Sequence, residues 1–188
     1  MCRVLLFPPR TCHLPSLDLM GNCVARDIPD PQTGLTPNHI NAVRQNWKLI
    51  EKRLPEYGLE LFVAFITKHP EWLPLFPFLK PSDMARLSQT PRLKAFGTIV
   101  LRKLGELLSM LDSPPKLIGE LLRQGANHRS RGLAPENFQA LQHDLNELFV
   151  KVCGPEFDIE AWDAVLTLIM TGIEEGLRQA KDKDAKYM

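Results

Sequence analysis

A chain of 188 residues is long enough for one domain with a complete core. Its 23 Lys and Arg nearly balance its 22 Asp and Glu, which excludes the basic footprint of a nucleic-acid binder, and no apolar run approaches the roughly 20 residues of a membrane span. Cys2, Cys12, Cys23 and Cys153 follow neither a disulfide framework nor a zinc-ligand spacing, which suits a reducing, cytoplasmic compartment.

Residues 1–34 carry Pro8, Pro9, Pro15, Pro29 and Pro31 with little periodicity, and read as a disordered or loosely docked extension. The run Val4-Leu5-Leu6-Phe7 is too short for a signal-peptide core and ends in a double proline. Within this extension, Met20-Gly21-Asn22-Cys23 would offer Gly21 and Cys23 for acylation and membrane association only if translation began at Met20. Ala25 stands where that motif wants Ser or Thr, so the segment is expected to be an unmodified tail.

From Leu35 the pattern becomes helix after helix. Thr36-Pro37 is a cap followed by proline at the first helical position. Ile40, Val43, Trp47 and Ile50 then form a stripe that runs out near Pro55. Leu59, Phe62, Val63, Phe65 and Ile66 predict a second helix, broken after His69 by Pro70. Phe76-Pro77-Phe78-Leu79 follows a short turn, and the polar stretch Lys80 to Pro91 predicts a loop with one weak turn of helix.

Leu93, Phe96, Gly97, Val100, Leu101, Leu104, Leu107, Leu108 and Leu111 recur at steps of three and four, a greasy stripe along about five helical turns. Asp112-Ser113-Pro114-Pro115 stops it. A shorter apolar segment, Leu117, Ile118, Leu121 and Leu122, then delivers His128 just before the breaker Arg131-Gly132. A long helix and a short helix ending in one histidine are thereby set to face each other across a gap that can hold a cofactor. Taken alone, such a histidine is also readable as a cap or a solvated residue. Ala134-Pro135-Glu136 opens the next helix, lined by Phe138, Leu141, Leu145, Leu148, Phe149 and Val152 and ended by Gly154-Pro155. Ile159, Trp162, Val165, Leu166, Ile169, Met170, Ile173 and Leu177 form the last one, before a charged, flexible tail over 181–188. No strand alternation and no glycine-rich phosphate loop occurs. The fold class is all-α.

In this order the residues resemble a globin over 35–180. The resemblance rests on Trp47, Gly58 and Phe62, His69-Pro70, Phe76-Pro77, Leu93 to Val100, and His128. Asn127-His128-Arg129, Cys153-Gly154-Pro155-Glu156-Phe157 and Ala161-Trp162 look most like the neuroglobin and globin X branch. The resemblance implies a globin fold of about seven to eight helices around a haem pocket, with haem b (iron protoporphyrin IX) as cofactor. It makes His128 the iron ligand, places Phe76 on the porphyrin face, and sets Phe62, Phe96 and Val100 on the distal side. Leu133 and Phe138 complete the implied cofactor contacts.

Elementary chemistry agrees with the role given to His128. Of His13, His39, His69, His128 and His143, only His128 follows a short amphipathic helix and precedes a sharp exit. An imidazole that ligates iron needs an acceptor for its other nitrogen, and the carbonyl of Gln124, one turn earlier, is the expected one. Gly58 and Gly97 predict a close crossing of two helix backbones. Two residues depart from the family pattern. Phe96 stands where most globins place a distal histidine and cannot hydrogen-bond to oxygen or ligate iron. Gln124 stands where a leucine often packs under the haem. The implied function is reversible binding of oxygen, carbon monoxide or nitric oxide. A haem redox enzyme acting on nitrite or nitric oxide, and a haem-free, membrane-associated helical sensor, are the alternatives.

Overall fold

The structure is a computed structural model that describes residues 27–186, with side chains to Lys181. The N-terminal acylation motif, the Val4–Phe7 run, His13 and three of the cysteines lie outside the described residues. Helix α1 (Pro37–Ile50) opens on a reciprocal cap. The Thr36 hydroxyl accepts from the His39 N–H at 3.1 Å, and His39 Nδ1 accepts from the Thr36 N–H at 3.4 Å. Upstream, the Asp27 carboxylate accepts from the Asn38 N–H at 2.9 Å, tying the preceding segment to the start of α1.

A 3-10 turn (Glu51–Arg53) leads into α2 (Leu54–Lys68), which stops at Pro70 as its missing donor requires. A second 3-10 segment covers Pro70–Leu75. The stretch expected as loop is more ordered than its polarity suggests: Pro81–Gln89 is a 3-10 helix kinked at Arg86. Asp83 accepts from the Lys80 N–H at 2.8 Å to start it, and buried Leu87 anchors its far end. Then come α3 (Pro91–Leu108), α4 (Pro114–Arg129), α5 (Pro135–Cys153) and, after the 3-10 turn Gly154–Glu156, α6 (Ile159–Lys186). No strand occurs among the described residues, and none of their helices is long and apolar enough to cross a membrane. Helix α6 runs through the described part of the charged C-terminal segment.

Two close crossings set the frame. A methyl group on Gly58 would meet the Gly97 carbonyl carbon at 2.4 Å, so α2 and α3 touch backbone to backbone, as their glycines predict. The second crossing is between α4 and α6: a methyl on Gly125 would lie 2.1 Å from the Ile173 carbonyl oxygen, and one on Gly176 2.3 Å from that of Leu122. Gly125 is one turn before His128, so this contact also fixes where the histidine stands.

Elsewhere α1, α5 and α6 close over a core in which Trp162 and Phe149 are fully buried, their rings 4.6 Å apart. One polar residue organises that corner. Buried Asn46 donates to the Glu156 carbonyl at 2.7 Å, and its Oδ1 accepts from Trp162 Nε1 at 3.0 Å. These bonds join α1, the Gly154–Glu156 turn and α6, and leave the indole N–H satisfied in the interior.

Candidate functional site

Residues of α3, α4, α5 and α6 line a cleft of about 280 Å³. Its walls are apolar: Phe96, Val100, Leu104 and Leu107 from α3, Phe138, Leu141 and Leu145 from α5, and Ile169, Met170 and Ile173 from α6. Polar groups enter at few places, namely Gln124 and His128 from α4, Lys103 from α3, and Arg131 just past α4. An apolar pocket with a few convergent polar groups is the usual form of a small-molecule site.

His128 is the histidine in this cleft. Its Nδ1 lies 2.7 Å from the Gln124 carbonyl oxygen, the acceptor expected from the sequence. A carbonyl can only accept, so Nδ1 carries a proton, and in the neutral imidazole Nε2 keeps its lone pair. The Phe138 ring stands edge-on to the imidazole with centroids 5.6 Å apart and interplanar angle 81°, which limits the ring's rotation. Gly132, at φ 73°, turns the chain away three residues after the end of α4. The other described histidines are placed for other work. His39 caps α1, His69 stacks on Trp72 at 4.1 Å, and His143 is exposed.

Phe96 presents its ring to the cleft from α3. Behind it, Phe62, Phe76 and Phe78 pack on that ring with centroids at 4.8, 5.7 and 5.3 Å. Of the residues expected at the cofactor, the cleft therefore gathers Phe96, Val100, His128 and Phe138. Phe62 and Phe76 stand one layer back, screened by Phe96, and Leu133 packs on the core beyond α4 without lining the cleft.

Beside the cleft, Glu120 gathers charge. Arg123 donates to its two carboxylate oxygens at 2.8 and 2.6 Å, the Gln124 carboxamide donates at 2.7 Å, and the Lys103 ammonium lies 3.6 Å away. The Arg123 hydrogen bond, helped by Gln124 and Lys103 and opposed by partial burial, holds this carboxyl down at about 2. Glu120 is thus an anion at any physiological pH.

Two other features are less apt for a cofactor. A shallower groove of about 630 Å³ runs along the outer face of α2 over Leu59, Val63 and Ala64. It is flanked by charges already paired with one another, Glu56 with Lys94 at 3.1 Å and Glu60 with Lys151, and holds no histidine. His143, Asp144 and Glu147 converge within 4.8 Å, but the Lys68 ammonium already bonds both carboxylates, Asp144 at 2.7 Å.

The globin family model matches residues 59–173, most of the chain. The chain belongs to the globin family. Among curated proteins this globin is 28% identical over 152 residues to extracellular globin-E1 of Artemia sp., covering 80% of this chain and 74% of that protein. It is 26% identical over 147 residues to myoglobin of Heterodontus portusjacksoni, covering 76% of this chain and 94% of the myoglobin. Among solved structures, its fold matches a hexacoordinated haem protein from an anhydrobiotic tardigrade with TM-score 0.72 at 19% identity, over 79% of this chain and 99% of that one. It also matches the hemoglobin of the botfly Gasterophilus intestinalis with TM-score 0.68 at 17% identity, over 77% of this chain and 97% of that one. The expected globin fold is thereby established.

Several residues that line this globin's cleft are given no cofactor role by the sequence: Ile99, 63% exposed at the rim, Lys103, Arg131, and the α6 trio Ile169, Met170 and Ile173. The trio's periodicity was visible, but a stripe facing the core and a stripe facing a cavity read alike. Lys103 and Arg131 carried no signal, since single cations are ordinary on a helix surface and in a turn.

Proposed function

We propose that this globin holds haem b in the cleft, with His128 Nε2 as the iron ligand, and reversibly binds oxygen or another diatomic gas such as carbon monoxide or nitric oxide. The observation that carries the proposal is the 2.7 Å contact between His128 Nδ1 and the Gln124 carbonyl inside an apolar cleft. It leaves Nε2 as a neutral, oriented donor, the form of imidazole that ligates iron. The other residues suit the group as well: apolar walls for a flat macrocycle, and Lys103 and Arg131 as cations for its carboxylates. Bound there, the haem would supply an iron with one position open to a small ligand.

On this reading Phe96 and Val100 face the open position and keep water from it. Phe62 and Phe76 act through Phe96, holding its ring in place, while Phe138 holds the imidazole. The affinity to the neuroglobin and globin X branch is part of the proposal and rests on the sequence segments around His128, Cys153 and Trp162. So is a cytoplasmic location, which suits Cys153, a free thiol buried beside Asn46 whose burial pushes its pKa up.

Replacement of the histidines tests the assignment. His128→Ala should lose haem, or keep it only when imidazole is added, while His69→Ala and His143→Ala retain it. Equal haem loss from all three variants would overturn the proposal.

A further inference from the structure

Glu120, Gln124 and His128 stand at steps of four on α4, so their side chains follow one another along a single ridge. The Gln124 backbone carbonyl holds His128 Nδ1, while the Gln124 side-chain amide donates to Glu120 Oε1 at 2.7 Å. That amide is a hydrogen-bond donor one turn from the imidazole, at a spacing where glutamine readily bonds its neighbour. Released, it would offer Nδ1 a donor where the ring now finds an acceptor. An Nδ1 that accepts carries no proton, and the proton then sits on Nε2, the nitrogen that must be bare to bind a metal.

We propose that Glu120 is a positioning residue for His128: by capturing the Gln124 carboxamide it keeps the imidazole in the tautomer with a free Nε2. Two features support this, and a third sets its limit. Glu120 is 15% exposed, against 57% for its partner Arg123, so its carboxylate sits inward, where it meets the amide. Lys103, a cleft residue on α3, lies 3.6 Å from Glu120 and gives the carboxylate a second reason to stay. The same five-residue pattern recurs as Glu175-Gly-Leu-Arg178-Gln179 on α6, where Gln179 donates to Glu175 at 2.8 Å and no histidine follows one turn later. The pattern by itself is therefore a local helix brace. On α4 it is placed so that the brace also governs a ligand.

The inference rests on the role given to His128, but its test does not require haem. Nitrogen-15 NMR of the haem-free full chain reads the His128 tautomer directly. The Nδ1–H form should dominate in the unmodified protein. Glu120→Ala should raise the Nε2–H share about two- to tenfold, the worth of one hydrogen bond. Glu120→Ala/Gln124→Leu, which also removes the competing donor, should restore the original ratio. Glu120→Gln, whose carbonyl still accepts from Gln124, should keep it, and so should Glu175→Ala. Should Glu120→Ala fail to fold, Glu120→Asp carries the same comparison, because its carboxylate falls one methylene short of the amide. An unchanged ratio in the Glu120 variant, or a shift that survives loss of the Gln124 amide, would overturn the inference. Failure of the chain to take up haem would count against the proposed function and leave this result standing.

Discussion

A methyl group placed on Gly97 would stand 2.2 Å from the Gly58 carbonyl oxygen, and the obstacle is backbone, which cannot swing aside. Gly97→Ala should therefore push α2 and α3 apart and cost at least about 1–3 kcal/mol, the usual penalty of overpacking. Gly119→Ala on α4, where nothing lies within 4 Å, should be neutral or stabilising by up to about 1 kcal/mol. Urea unfolding of the two variants measures both signs. Equal effects would refute the crossing.

That crossing was legible because glycine is costly inside a helix and two glycines fell on stripes already assigned to neighbouring helices. His128 and its Gln124 acceptor were legible for a similar reason: an i, i+4 step reaches the backbone of the preceding turn whatever the tertiary fold does. The α4–α6 crossing at Gly125 and Gly176 was not. Those elements lie far apart in sequence, and nothing local says which helix a glycine will meet. The Pro81–Gln89 segment reads in the sequence as loop with one weak turn, since a carboxylate cap and one buried leucine leave little periodicity across nine residues. The resemblance makes Phe62 and Phe76 direct cofactor contacts; that Phe96 stands between them and the cleft is visible only in the packed structure.

Phe96 sets the expected ligand chemistry. The ring is wedged against three other phenylalanines and offers no donor, and Val100 beside it is apolar too. Phe96→His should raise oxygen affinity about ten- to a hundredfold, the value of one hydrogen bond to a partly charged ligand, and raise carbon monoxide affinity much less. Oxygen and carbon monoxide equilibrium curves on the haem-loaded protein check this. Equal gains for the two gases would show that the residue does not face the bound ligand.

Lys68 is the counter-charge for a carboxylate that water hardly reaches: Asp144 is 3% exposed and bonds the ammonium at 2.7 Å. Lys68→Met should cost about 3 kcal/mol, because it strands a buried charge. The Asp144 hydrogen bond, then that of Glu147, raises the Lys68 pKa above its usual 10.5. A raised lysine pKa gives stability that is complete below the unfolded value and is lost as pH climbs through the folded one. The gap between the two proteins should thus stay constant across neutral pH and narrow only above about 10.5. A gap that closes between pH 6 and 8 would rule this out.

The proposed site has His128 alone holding the iron, with its other face lined by apolar Phe96 and Val100 and open to a gas. It is tested most directly by the absorption spectrum of the ferrous, haem-loaded chain before and after carbon monoxide is added. A five-coordinate, high-spin spectrum should appear first, and a large shift to a low-spin spectrum should follow the gas. A ferrous chain already six-coordinate and low-spin before the gas would mean that another side chain reaches the iron, and a chain that takes up no haem would contradict the claim outright.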